Sequence, residues 1–179
     1  MLHAEPHLPP WMGKPIVLVG LMGAGKSTVG RRLSLRLGLP FVDADTEIET
    51  AAGMTVSEIF DKFGEAYFRD GERRVIARLI DGTPKVIATG GGAFINDDTR
   101  ALILDQALAI WLDAEPSVLV ERVARRDSRP LLRDRDPMQV LTELAAKRNP
   151  FYAMAPLRVV SHHAPHDHTV NDILKALNL

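Results

Sequence analysis

Residues 20 to 27 read Gly20-Leu21-Met22-Gly23-Ala24-Gly25-Lys26-Ser27, a match to G-x-x-x-x-G-K-S without a mismatch, and nothing else in the chain restricts its fold as strongly. The motif requires a strand before it and a helix after it. Pro15 to Val19 is a short apolar run ending at a glycine, and Lys26 to Leu37 places Val29, Leu33 and Leu37 at helical spacing. In such a turn the backbone N–H groups converge on phosphate oxygens and the helix N-terminus adds partial positive charge. The lysine reaches the β- and γ-phosphates, and the serine hydroxyl suits Mg²⁺. Contacts to ATP are therefore expected from Gly23, Ala24, Gly25, Lys26, Ser27 and Thr28.

The pattern continues along the chain. Pro40 to Val42, Lys85 to Ala88, Ala107 to Leu112 and Arg158 to Val160 read as four further strands. Helical stretches are predicted around Thr46 to Ala52, Val56 to Phe63 and Glu65 to Ile80, punctuated by Gly53, Gly64 and Asp81-Gly82. Strands alternating with helices imply right-handed crossovers and a five-stranded parallel sheet flanked by helices, with ligands at the carboxyl ends of the strands. The length of 179 residues suits one domain, over residues 14–179, behind a flexible, proline-rich tail at 1–13.

Charge and composition narrow the function. A formal net charge of −1 and the lack of a broad basic face argue against nucleic acid. No apolar run approaches a membrane span, no secretory leader is evident, and the absence of cysteine fits the cytosol, so a cytoplasmic monomer is expected. Positive charge is local, at Arg122, Arg125, Arg126, Arg129, Arg133 and Arg135. Asp127 to Pro137 holds three arginines in eleven residues with little periodicity, so residues 124–136 read as a mobile lid over ATP, with an ordinary surface loop as the alternative.

Asp43 and Asp45 stand two apart at the end of the second strand, where extended backbone would project both carboxylates to one side. Asp43 suits Mg²⁺ and Asp45 suits the acceptor hydroxyl, as positioner or general base; helix capping is the other reading of Asp45. A GTPase is disfavoured, because no Asn-Lys-x-Asp segment is present. A non-enzymatic ATP-binding module remains the alternative of another class.

The succession GLMGAGKSTVGRRL, FVDADTEIE, GEAYFRDGE, VIATGGGAF, WLDA, SRPLL and KRNPFY, spread from about Pro15 to Leu177, resembles shikimate kinase. The resemblance implies an α/β P-loop NTPase of the nucleoside-monophosphate-kinase-like type, with a substrate-binding helical region at about 45–82 and a lid. It implies Mg²⁺-dependent transfer of the ATP γ-phosphoryl group to the 3-hydroxyl of shikimate, in the pathway to chorismate. By the same resemblance Asp45, Arg69, Gly90, Gly91, Gly92 and Arg148 would hold shikimate, with Lys26, Asp45 and Arg129 catalytic, Ser27 and Asp43 on the metal, and Arg122 against adenine.

The chemistry is matched, since guanidinium forks can clamp a planar carboxylate while Asp45 and glycine N–H groups meet hydroxyls. For Arg69 a surface salt bridge with Glu65 or Glu72 is the competing reading. Asp113 is left as a strand-end residue, and the HHAPHDH run from His162 to His168 reads as a solvated turn. A related small-metabolite kinase, such as a gluconate kinase, is the nearest enzymatic alternative.

Overall fold

A computed structural model describes residues 11–125, 132 and 134–179. Five strands, β1 (Ile16–Val19), β2 (Phe41–Asp43), β3 (Val86–Ala88), β4 (Leu108–Asp113) and β5 (Leu157–Val160), form one sheet in the order β2-β3-β1-β4-β5. Every pairing is parallel. The helices are α1 (Lys26–Leu37), α2 (Ala44–Ala52), α3 (Val56–Phe63), α4 (Glu65–Leu79), α5 (Asp97–Gln106), α6 (Pro116–Val123), α7 (Pro137–Tyr152) and α8 (His166–Ala176), with a 3₁₀ turn at Ala93–Ile95.

Each strand or helix has a local cause. All four residues of β1 are buried, as a central parallel strand covered on both faces requires. In α1 the buried stripe is Val29, Gly30, Leu33 and Ser34, and the helix stops at Gly38, whose left-handed backbone lets its N–H reach the Leu35 and Ser34 carbonyls. Gly30 is glycine for space: a methyl group there would lie 2.7 Å from the Phe41 ring. In α3 a capping box joins Thr55 and Glu58.

The order of the strands places the site. From β1 the chain passes to β2 at one edge and returns through β3, which lies between β2 and β1, whereas β4 and β5 extend the sheet on the other side of β1. The crevice at that reversal is where open parallel sheets bind ligands. Leu18 and Asp43 both sit in register with Ala88, so the ends of β1, β2 and β3 reach the same level. Thr89 ties them by donating its hydroxyl to the Leu18 carbonyl at 2.8 Å.

Strand and helix boundaries agree with expectation to within a residue or two, and one shift is consequential. Helix α2 begins at Ala44 rather than Thr46 because Asp43 is its N-cap, so Asp45 lies in the first helical turn instead of an extended segment. Within the span predicted as a flexible tail, Trp11 is half-buried and packs against the core; residues 1–10 lie outside the described residues. Of the predicted lid, residues 126–131 and 133 likewise lie outside. Among the described residues no helix is long and apolar enough to cross a membrane.

Candidate active site

A cleft of about 590 Å³ opens at the carboxyl ends of the strands, and the glycine turn after β1 forms one wall of it. Gly20, Gly23 and Gly25 all have positive φ, at 145°, 82° and 94°. Gly25 caps α1 without a side chain, which leaves the first N–H groups of the helix facing the cleft. The Lys26 ammonium, 8% exposed, donates to the Gly20 carbonyl at 2.6 Å and the Leu21 carbonyl at 2.8 Å. The lysine expected to reach the phosphates therefore also braces the backbone of its own turn.

Across the cleft the Ser27 hydroxyl donates to Asp43 Oδ2 at 2.5 Å. Asp43 Oδ1 accepts the cap bonds from Asp45 N at 3.0 Å and Thr46 N at 3.3 Å. One carboxylate thus starts α2 with one oxygen and turns the other toward Ser27. Capping falls to Asp43, not to Asp45, and Asp45 lines the cleft beside Thr89, Gly90 and Gly91.

The Gly90-Gly91-Gly92 turn is enclosed by charged side chains. A methyl group on Gly90 would lie 2.9 Å from Glu72 Oε2 and 3.0 Å from Asp45 Oδ1, one on Gly91 3.0 Å from Arg148 Nη1, and one on Gly92 would run into the Arg69 guanidinium. The turn is braced by Tyr152, whose hydroxyl donates to the Gly91 carbonyl. Arg69 and Arg148 meet the cleft through this turn, not through its open wall. Both expected salt bridges of Arg69 exist, to Glu72 Oε1 at 3.0 Å and to Glu65 Oε1 at 3.4 Å.

Glu72 is the unusual group here. Its side chain is 3% exposed, and among the described residues Oε2 accepts no hydrogen bond. Burial pushes its carboxyl above the usual range, and Asp45 adds to this, against the opposing pull of Arg69 and Arg148. Burial likewise pushes the Tyr152 phenol up to about 12.

Arg122, Val123, Arg125 and His166 also line the cleft. Arg122 donates to the carbonyls of Gly23 at 3.3 Å, Ala24 at 3.2 Å and His162 at 2.7 Å, and to the Ser161 hydroxyl at 3.0 Å. It is a strut between the phosphate turn and the segment after β5. Arg129 lies outside the described residues. Asp113, at the end of β4, pairs with Arg158 at 2.5 Å.

A shikimate kinase from Caulobacter vibrioides (strain NA1000 / CB15N) is 59% identical over 170 residues, 95% of this chain and 85% of that one. A family model described as shikimate kinase matches residues 22–178. The chain belongs to the shikimate kinase family. Its activity is that of an ATP-dependent kinase. The solved structure of the shikimate kinase from Acinetobacter baumannii in complex with shikimate superposes with a TM-score of 0.90 at 35% identity, covering 94% of both chains. A gluconokinase from Sinorhizobium meliloti shares the fold, at 20% identity and a TM-score of 0.55, covering 93% of this chain and 92% of that one.

Two residues beside the shikimate kinase glycine turn escaped the sequence reading. Glu72 entered it only as an ion-pair partner, yet it falls in the buried stripe Phe68, Glu72, Val75, Ile76, Leu79 of α4, and a carboxylate at a core position of a helix is a recognisable signal. Tyr152 stands at the end of KRNPFY, and nothing in its spacing points to Gly91. The His162 to His168 run is also more than a solvated turn, because α8 begins at His166 and that side chain lines the cleft.

Proposed function

We propose that the cleft transfers the γ-phosphoryl group of ATP to the 3-hydroxyl of shikimate, giving shikimate 3-phosphate and ADP. The observation that carries this is the glycine turn beside the phosphate cradle with Asp45, Glu72, Arg148 and Arg69 against it. In this reading Arg69 and Arg148 clamp the acceptor carboxylate, a planar anion that suits guanidinium forks. Glu72 holds Arg69 in place by a 3.0 Å bond. Asp45 orients the attacking hydroxyl and accepts its proton as the new O–P bond forms and the bond from Pγ to the β,γ-bridging oxygen breaks.

Lys26 leaves the Gly20 and Leu21 carbonyls for the phosphates, so its charge neutralises the transferring group. Gly23, Ala24, Gly25, Ser27 and Thr28 supply the cradle, Arg122 flanks the nucleoside, and Arg129 reaches the transferring phosphate from the lid at 124–136. Ser27 Oγ and Asp43 Oδ2 are two hard oxygen donors 2.5 Å apart, a set that fits Mg²⁺, which takes one or two protein oxygens along with phosphates and water. The ion would supply charge neutralisation at the phosphate oxygens. In the same reading residues 14–179 act as one domain, and the enzyme acts as a cytoplasmic monomer.

The test is ADP release coupled to a spectrophotometric readout, against shikimate, quinate, gluconate, AMP and no acceptor. Turnover is expected with shikimate and little with the others. Turnover with gluconate or AMP and none with shikimate would overturn the assignment.

A further inference from the structure

We infer that Tyr152 is a positioning residue for the transfer step: by holding the Gly91 carbonyl it fixes the glycine turn after β3 against the phosphate turn, and with it the distance between the reacting groups. This rests on the proposed function, in which the first turn carries the acceptor and the second the phosphates. Gly91 is where the two turns meet. A methyl group built on it would lie 3.5 Å from Met22 N and 3.7 Å from the Gly20 carbonyl oxygen, with Arg148 Nη1 at 3.0 Å.

The flanking carbonyls are held by the 3₁₀ turn that follows, Gly90's by Ala93 N at 3.3 Å and Gly92's by Ile95 N at 3.2 Å. The middle carbonyl instead accepts the Tyr152 hydroxyl, from a residue 61 positions further along the chain. Tyr152 is the last residue of α7, fully buried, and one helical turn beyond Arg148 on the same face. Its ring packs on Trp111 with centroids 6.0 Å apart. Trp111 lies in register with Val19, the residue before the phosphate turn, and its Cδ1 would be 3.6 Å from a methyl group on Gly20. One side chain thus rests on the base of the phosphate turn and grips the acceptor turn.

Burial pushes the phenol up to about 12, so at neutral pH the hydroxyl keeps its proton and remains a donor. Loss of that donor frees the middle of the acceptor turn while the contacts to each substrate remain. A misplacement of about 1 Å between reacting atoms can cost about a hundredfold in rate, so the effect belongs to kcat more than to either KM.

Tyr152→Phe removes the donor and keeps the ring, whereas 4-aminophenylalanine placed at position 152 restores an N–H donor there. Ile173→Val is the packing control, a fully buried change in α8, which packs on α1 and β5. Each is compared with wild type by calorimetric titration of ADP and by steady-state kinetics. The kinetics use whichever of shikimate, quinate, gluconate and AMP the wild type turns over fastest.

Tyr152→Phe should lower kcat roughly ten- to a hundredfold, with KM for both substrates and the dissociation constant of ADP within about threefold. The 4-aminophenylalanine protein should recover most of the lost kcat, and Ile173→Val should match wild type. Wild-type kcat in folded Tyr152→Phe overturns the inference, as does a loss that the restored donor fails to repair. So does a loss confined to KM for the acceptor, which would make Tyr152 a support for Arg148 alone, or failure of both position-152 variants to fold, which would mark a purely architectural role. Turnover on gluconate or AMP and none on shikimate would instead overturn the acceptor assignment, with the position-152 comparison still readable on the acceptor that works.

Discussion

Replacing Gly92 with alanine should damage acceptor binding without touching nucleotide binding, and the size of the effect follows from geometry. Gly92 lies at φ −90° and ψ −8°, a right-handed conformation open to alanine, so the backbone contributes no strain. The cost is the encounter with Arg69, whose Nη2 lies 2.6 Å from the added methyl group. The guanidinium must swing away, and the 3.0 Å bond to Glu72, whose side chain is 3% exposed, is lost. In the proposed clamp the displaced guanidinium also gives up its charge-assisted bond to the acceptor carboxylate, and such a bond contributes about 1.5–3 kcal/mol, or roughly ten- to over a hundredfold. KM for shikimate should rise by that factor in an ADP-release assay at saturating ATP, with KM for ATP unchanged.

The melting temperature should fall as well, by at most roughly 3–12 °C for a chain of this size, and by less to the extent that the displaced Arg69, 24% exposed here, is solvated. Gly71→Ala is the control. It lies in α4 with no atom within 4 Å of a new methyl group, so it should stabilise by about 0.5–1 kcal/mol and leave both KM values alone. A folded Gly92→Ala protein with wild-type KM for shikimate would refute the arrangement of Arg69, Glu72 and the glycine turn.

Three further outcomes are expected. Arg148→Lys keeps the charge but loses the planar fork, and should raise KM for shikimate ten- to over a hundredfold with KM for ATP nearly constant, measured by steady-state kinetics. Lys26→Met should lose most turnover and, because the Gly20 and Leu21 carbonyls lose a donor, about 1–3 kcal/mol of stability in urea titration as well; wild-type kcat in the folded variant would contradict the cradle. Glu72, raised above its ordinary value of 4.5, holds its proton in the folded state where the unfolded chain has lost it, so stability should fall as pH rises from about 4.5 through the folded value. Denaturant midpoints across that window should decline less steeply in Glu72→Gln, and an identical slope would argue against the burial of that carboxylate.

Much of this molecule was legible before any coordinates. The five strands and α1 could be read because parallel strands are short apolar runs and because G-x-x-x-x-G-K-S dictates strand, turn and helix in order. The triple glycine was legible as a turn, and its neighbours Asp45, Arg69 and Arg148 through the family pattern. What could not be read was pairing through space. Whether Asp43 or Asp45 caps α2 depends on where the backbone turns, a matter of one or two residues. Tyr152 and Gly91 are 61 positions apart, and only the packing of α7 on the turn brings them together. Lys26 folds back on its own loop because a buried ammonium needs acceptors, and the Gly20 and Leu21 carbonyls supply them.

The three glycines after β3 each face a different ionic partner, Gly90 the Asp45 and Glu72 carboxylates, Gly91 Arg148 and Gly92 Arg69. Any side chain added to that turn therefore meets a charged residue that the proposed function sets on the acceptor, so a substitution there disturbs the loop and its partners together. New substrate preferences have to enter through the helices that carry the partners, α2, α4 and α7, whose side chains can be exchanged one at a time over an unchanged loop. In lineages that diverge from this ancestry, drift of acceptor choice should be written in those helices, and loss of the glycines should follow it.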